Sequence, residues 1–516
     1  MGNGIFKTLV AIIFLAAAAF LCGSLAADGI TSAIMPILLV VGSFSLLYLG
    51  KNCWWVPYVM LPLIINSPQF GSIYLVYNAL FLAPVIYWGI MAILGHVKIT
   101  WHGVVCIDVL AAILVGYMVL SWFRHPVYLN IMLNRFTALD SVSVGGSDYI
   151  VCFFAVLAYV AVSIIPVRFE QLKNALKLFT GISLLVGFVF MLKALLSPED
   201  ATVIEPQNGE GEELRNFSFL KFSIPLMTIL LCKYSVVSIL CSPWKLALAA
   251  ISGFGIFISG FRSYIMGALW EMLLTQWLHR RLMSAVLLGV TFVGGVVFLS
   301  QQHALDFLPY GVKRALSPLP GIEFENSHAL KAAQASSEWR FLMWKWALDP
   351  SKGYIKDYTW GDGFGHRLDE LRRERYSSLR YSVGLNHQKR FAKHGQWHNG
   401  PITAIHRLGI VGLCIIVLWT IVISAYALRV LRALDSVVGK EYVYFAIIPI
   451  MTEFLMFYAS AGTVTGIFTT LCSVAILKVC YCHLRKMGLI KPLFEKNNYV
   501  PLMIKELDSG VVAGKS

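Results

Sequence analysis

Charge is what this chain has least of. Only 14% of its 516 residues are Asp, Glu, Lys or Arg, against about a quarter in soluble domains, and 58% are hydrophobic. That balance excludes an ordinary soluble protein. Cysteine carries no pattern either: the ten are scattered, mostly in apolar stretches, and the one close pair, Cys480 and Cys482, lacks metal-site spacing, so neither a disulfide framework nor a zinc site is indicated. There is no Gly-rich phosphate loop, no soluble nucleotide-binding module and no periodic repeat. No cofactor, bound metal or nucleic-acid partner is expected, and an energy source would have to arrive with the substrate.

What the chain has instead is apolar runs long enough for a helix to cross a hydrocarbon core of about 30 Å. Fourteen are readable, near 5–27, 30–49, 53–71, 73–95, 102–123, 148–166, 175–197, 217–240, 245–260, 263–279, 282–300, 401–428, 442–460 and 462–482. The first ends near "GSLAAD" like a signal peptide, but its run is longer than a usual signal core and another span follows at once. The expected fold is an all-α polytopic membrane protein of about 14 transmembrane helices (12–14). It divides into 1–300, with eleven spans and a hairpin at Arg262; one large extracytoplasmic loop, 301–400, helical and interfacial; 401–483, with three spans; and a cytoplasmic tail, 484–516.

Lys and Arg in short loops resist translocation. Lys7, Lys51, Lys98, Arg168, Lys173, Lys177, Lys245, Arg280, Arg281, Arg429, Arg432, Lys440 and the tail "HLRKMGLIK" fall on one side, which makes that side cytoplasmic and puts both termini there. The acidic loop 198–216 and the loop 301–400 fall opposite. The latter holds 15 Lys/Arg against 10 Asp/Glu, an excess the short-loop rule does not explain. It suits either an anionic partner or a solvated face on anionic headgroups.

Within 301–400, "HALKAAQASSEWRFLMWKWALDP" favours helix up to Pro350, with Trp339, Leu342, Met343 and Trp346 on one face and Trp344 beside them, a face expected at the membrane interface. "YTWGDGFGH" then reads as turn. Arg262, in "GFGIFISGFRSYIMGALWEM", interrupts an apolar stretch. At membrane depth an arginine costs at least about 2.5 kcal/mol, so it should face protein or water and have a partner, unless it snorkels from a helix end. Arg340 lies in the Trp-rich face. His398 and Asn399, in "GQWHNGPITAIHRLGIVGL", precede a span whose first turn suits Pro401. A histidine there can accept a proton near neutral pH and an asparagine can donate to it or to substrate. The partly positive helix terminus favours an anion nearby and an uncharged imidazole.

The order "SGFRS", "EWRFLMWKWAL", "WGDGFG", "WHNGPITAIHRLGIVGL" over about residues 255–425 resembles the O-antigen ligase and O-antigen polymerase family of bacterial cell-surface glycan assembly. The resemblance implies a GT-C-like membrane glycosyltransferase of the bacterial inner membrane. Its active site would lie on the periplasmic face, with a polyprenyl (undecaprenyl) diphosphate-linked glycan as donor, a glycan or glycolipid acceptor, and membrane lipids as surroundings. By motif, Arg262 and Arg340 correspond to the arginines that hold the donor diphosphate, with Ser263 beside the first, and His398 to the histidine that activates the acceptor hydroxyl, with Asn399 positioning it. The chemistry implied is inverting and metal-independent. Arg124 and Arg135 are read as guides for diphosphate or anionic sugars, and Trp339, Trp360 and Trp397 as faces for sugar rings. Two departures stand out: His406-Arg407 precede Leu408-Gly409 where the family often has an acidic residue before the glycine, and there are about two spans more than the family's usual twelve or so.

Two other classes compete. A transporter or flippase of lipid-linked glycans would use intramembrane arginines as substrate sites, but no repeated halves or paired broken helices are visible. A structural or regulatory membrane protein would tolerate alanine at Arg262, Arg340 and His398.

Overall fold

The computed structural model describes residues 85–95, 101–125, 147–164, 168–196, 202–206, 212–259, 262–301, 312–313, 316, 328–364, 397–459 and 462–491. After a helical stretch at 85–93, twelve helices follow: α1 (Val105–Arg124), α2 (Ser147–Ile164), α3 (Phe169–Leu196), α4 (Phe217–Lys233), α5 (Val236–Leu240), α6 (Pro243–Ile258), α7 (Arg262–Leu278), α8 (Leu282–Gln301), α9 (His328–Leu348), α10 (Gly400–Ala433), α11 (Lys440–Ala459) and α12 (Val464–Lys486). Five segments, α1, Phe169–Leu192 of α3, α10, α11 and α12, are long and apolar enough to cross a membrane, and Val151–Ile164 and Pro243–Ile258 are shorter apolar helices. The chain is a helical membrane protein. Apolar side chains that face outward at helical spacing, such as Val105, Val109 and Ile113 of α1, suit lipid rather than water.

Ten of the fourteen expected spans fall on described helices; 5–27, 30–49 and 53–71 lie outside the described residues, and only the end of 73–95 lies within them. Two expectations change. The span 217–240 is two helices, because Ser235 starts a new one by accepting the Ser238 N–H with its hydroxyl at 3.3 Å, an N-cap. And the acidic loop holds a short two-stranded antiparallel hairpin, β1 (Thr202–Pro206) with β2 (Glu212–Asn216), Thr202 opposite Asn216, in an otherwise helical chain. The intervening "QNGEG" carries the Asn-Gly pair that favours tight hairpin turns.

Helices α1, α2, α10, α11 and α12 share the largest core, centred on Trp419, Ile423, Phe468, Leu471 and Ala475, all fully buried. α2 and α12 pack side by side in the same direction, α1 runs against both, and polar contacts mark the two ends. At one end, Asp148 at the start of α2 accepts from the Thr465 hydroxyl at the start of α12, at 2.8 Å. Deep on the other side, Lys478 of α12, wholly buried, donates to Asp108 of α1 at 2.6 Å and to the Tyr159 hydroxyl of α2 at 3.1 Å. Tyr159 donates to the same carboxylate oxygen at 2.5 Å, and the second oxygen takes the Val104 N–H at 2.9 Å and the Trp101 indole at 3.2 Å. An ammonium inside an apolar bundle is tolerable only with such a partner.

Candidate functional site

The site begins with a break in a helix. α10 is interrupted at Gly409, whose φ of 70° and ψ of −178° are not helical. Breaking a helix at one residue strands the carbonyls before it and the N–H groups after it, and at membrane depth each must find a partner. The turn 357–364, "DYTWGDGF", provides most of them. Asp362 N–H donates to the His406 carbonyl at 2.8 Å and Gly363 N–H to the Arg407 carbonyl at 3.0 Å, while Ile410 N–H donates to the Tyr358 carbonyl at 2.8 Å and Val411 N–H to that of Thr359 at 3.2 Å. The Leu408 carbonyl takes the Tyr117 hydroxyl of α1 at 2.6 Å. The turn is spliced into the helix ladder.

Glycine is required on both sides of this splice. A Cβ on Gly409 would strike the Thr359 carbonyl, and one on Gly361, at φ 81°, would strike the backbone of Arg407 to Gly409. Side chains complete the joint. Asp362 accepts from the N–H groups of Lys356 at 2.9 Å and Asp357 at 3.0 Å and faces His406 Nε2 at 3.5 Å. Arg407 donates to the Gly363 carbonyl at 3.0 Å and lies over the Phe364 ring at 5.7 Å. His406, just before the break, thus faces an acid from the turn, Asp362.

Asp357 ties the turn to α1 through Arg124, at 2.8 Å. Its carboxyl is held below the usual aspartate range, chiefly by the Trp360 N–H and then by Arg124 and the Thr359 N–H. Arg124 is therefore a staple, with its guanidinium also 5.6 Å from the centre of the Trp360 ring. Trp360 stacks near-parallel on Tyr117, at 6.5 Å between centroids, and stays 43% exposed, so it can still offer surface to a sugar.

The half-helix 400–408 carries the histidine. Asn399 caps it by accepting the Ile402 N–H on Oδ1 at 3.0 Å, and its carbonyl takes the Thr403 N–H at 2.9 Å. With one lone pair of Oδ1 committed to the cap, the amide nitrogen of Asn399 remains as a donor for a ligand. His398, just before the cap, has φ 47°, a left-handed conformation that costs a non-glycine residue about 1 kcal/mol and is often retained at functional sites. It is half-buried, with the Trp339 ring edge-on at 5.6 Å.

α9 is held against this half-helix by a small apolar cluster of Met343, Ala347, Ile355, Trp397 and Ile402, and by the Trp344 indole donating to the Trp397 carbonyl at 2.8 Å. Arg340, adjacent to Trp339 and one turn before Trp344, is half-buried on that same side of α9. The face packed on the protein is 339/343/344/347, while Leu342 is 43% exposed and Trp346 stacks on Tyr354 at 6.4 Å. Trp397 does not offer a face to a sugar, because it is fully buried and its indole donates to His406 Nδ1 at 3.1 Å.

Arg262 opens α7, with Ser263 half-buried in its first turn; the Arg262 side chain and all of Arg135 lie outside the described residues. α7 meets α11 where Gly267 approaches Thr452 and Met456, and Gly400 abuts Phe457 on the same turns of α11. The first turn of α7 and the capped start of α10 therefore share one end of the bundle. Glu453, on this stretch of α11, is a titratable group outside the residues singled out from sequence. Its carboxylate lies against Gly466 in the first turn of α12 and within electrostatic reach of Tyr264. The signal was present: it is an acid inside the apolar run "YFAIIPIMTEFLMFYA". Asp362 too was readable, as an acid between two glycines. Among the described residues no group of three or more His, Cys, Asp or Glu is placed to share a metal.

No protein-family model matches the chain, and no curated protein matches it significantly. The functional reading rests on the site's own chemistry.

Proposed function

We propose that the protein is a membrane glycosyltransferase that moves a glycan from a polyprenyl diphosphate to an acceptor hydroxyl, as an O-antigen ligase or polysaccharide polymerase does. The observation that carries the reading is His398, strained at φ 47°, half-buried, and set between the start of a broken helix and the helix that bears Arg340. Its support is physical: an imidazole at a positive helix end, beside a guanidinium, suits a reaction in which an anionic leaving group departs while a neutral hydroxyl is deprotonated. The acceptor oxygen attacks the anomeric carbon and its proton passes to His398. The bond from that carbon to the diphosphate oxygen breaks, and polyprenyl diphosphate leaves with its charge held by Arg340 and Arg262. The protonated imidazole then releases its proton to solvent. Attack opposite the leaving group inverts the anomeric centre. Two of the four motifs that carry the family resemblance, "WGDGFG" and "HRLG", meet in one joint, as parts of a single site would.

The test is transfer by the purified protein in lipid nanodiscs from a polyprenyl-diphosphate oligosaccharide to candidate sugar acceptors. His398→Ala should lower the rate about 10²- to 10⁴-fold, the range for loss of a general base, and Arg340→Ala should raise KM for the donor as well as lower kcat. Unchanged turnover in both folded variants would refute the scheme. The broken α10 favours one second reading, transport of lipid-linked glycans, since discontinuous helices form many transporter sites. Here, though, the carbonyls of the break are occupied by the turn and by Tyr117 rather than left to face a substrate. Movement of the lipid-linked glycan between leaflets without acceptor-dependent product would support transport instead.

A further inference from the structure

A cleft at the far end of α10, on the opposite end of the bundle from His398, carries a different chemistry. Two adjoining hollows of about 510 and 280 Å³ share Trp277 and Arg280; the first is also lined by Arg281, Met283 and Ser284, and the second by Arg432 and Asp435. Arg432 lies over the Trp277 ring at 4.3 Å. Asp435 is matched by Lys440 at 2.6 Å and His279 bonds the Leu231 carbonyl at 3.1 Å, so three guanidiniums dominate the charge of the cleft.

The backbone adds a second observation. α7 ends with Arg281 N–H on the Gln276 carbonyl at 2.8 Å and Arg280 N–H on that of Trp277 at 3.1 Å, the paired bonds of a helix end whose left-handed residue is usually glycine. Here that residue is Arg280, at φ 57°. The residue at this strained position thus carries a guanidinium, and it lines both hollows. Beyond the cleft, Met283, Val286 and Val290 stand exposed along one side of α8, an apolar track leading from the guanidiniums along the helix.

We propose that this cleft binds an anionic phospholipid, its phosphate held by Arg280, Arg281 and Arg432 and its acyl chains laid along α8. Guanidiniums grip phosphate oxygens in pairs, basic pockets between helices at a membrane surface suit anionic headgroups, and the exposed apolar track argues for a lipid rather than free phosphate. The site is independent of the glycosyl-transfer reading.

The experiment is native mass spectrometry of the full chain released from nanodiscs of phosphatidylcholine doped with phosphatidylglycerol. Wild type should retain phosphatidylglycerol. Arg280→Gly, which removes the guanidinium and also relieves the strained φ, should lose retention at least tenfold while its melting temperature in neutral detergent stays the same or rises. Arg432→Gln should lower retention several-fold. Wild-type retention in the Arg280→Gly, Arg432→Gln double variant would overturn the proposal, as would full displacement of the lipid by millimolar inorganic phosphate, which would make the cleft a simple anion site.

Discussion

Two places in this bundle set polar groups where apolar packing would be cheaper, and they do it in opposite ways. At Lys478 and Asp108, opposite charges from α12 and α1 close on each other with Tyr159 between them. At Gly409 the polar groups are backbone, and a turn from a distant part of the chain is brought in to receive them. The first arrangement completes itself from helices already packed together. The second depends on the turn docking, and it fixes the half-helix on which the strained His398 sits. A closed pair holds helices together, whereas a spliced break gives a rigid mount for the half-helix beside His398.

The largest effect should come from the closed pair. Lys478→Ala leaves Asp108 charged and uncompensated in the bundle, and thermal unfolding in detergent should show a loss of about 3–5 kcal/mol. The triple variant Lys478→Met, Asp108→Leu, Tyr159→Phe should recover most of it, since apolar groups replace both charges and the hydroxyl between them; no recovery would mean the network does more than neutralise itself. Next, Asp362→Ala removes the acceptor for two N–H groups and the partner of His406, and should cost about 2 kcal/mol, with transfer falling further than stability alone explains if the joint mounts His398. Asn399→Ala removes a helix cap and should cost about 1 kcal/mol, while Asn399→Ser restores it.

The smallest effect is a pH dependence. Because the Asp357 carboxyl is held low by the Trp360 N–H and by Arg124, its contribution is fully present above the ordinary aspartate pKa of about 3.9 and is lost as pH falls through the lower folded value. For a half-exposed pair the contribution is under about 1 kcal/mol, so in an acid titration of the melting temperature Arg124→Ala should differ from wild type near neutrality and converge with it at the most acidic pH.

How far the sequence revealed this structure depends on what each feature leaves in composition. Span positions were readable because hydropathy records lipid contact, and α1, α7, α11 and α12 begin within a few residues of expectation. α3 starts six residues early, at Phe169 rather than 175, because residues 169–174 carry Glu170, Gln171, Lys173 and Asn174 and are helical without being apolar. The splice was hard to read, since Ile402, Ile405 and Leu408 continue the helical apolar spacing up to Gly409 and the polar pair His406-Arg407 just before it does not by itself announce a break. His398 and Asn399 were readable together because a cap and Pro401 announce a helix start. Trp397 was misjudged because a tryptophan next to a candidate catalytic residue can as easily buttress it from within as face a substrate, and only burial decides.

The joint between 358–363 and 406–411 also restricts chain length. Two N–H groups and two carbonyls of the turn must meet four fixed positions on α10, so one residue inserted between Tyr358 and Gly363 would move every later partner out of register. Sequence change there is permitted only where it preserves spacing, as in a zip whose teeth can be recoloured but not added to.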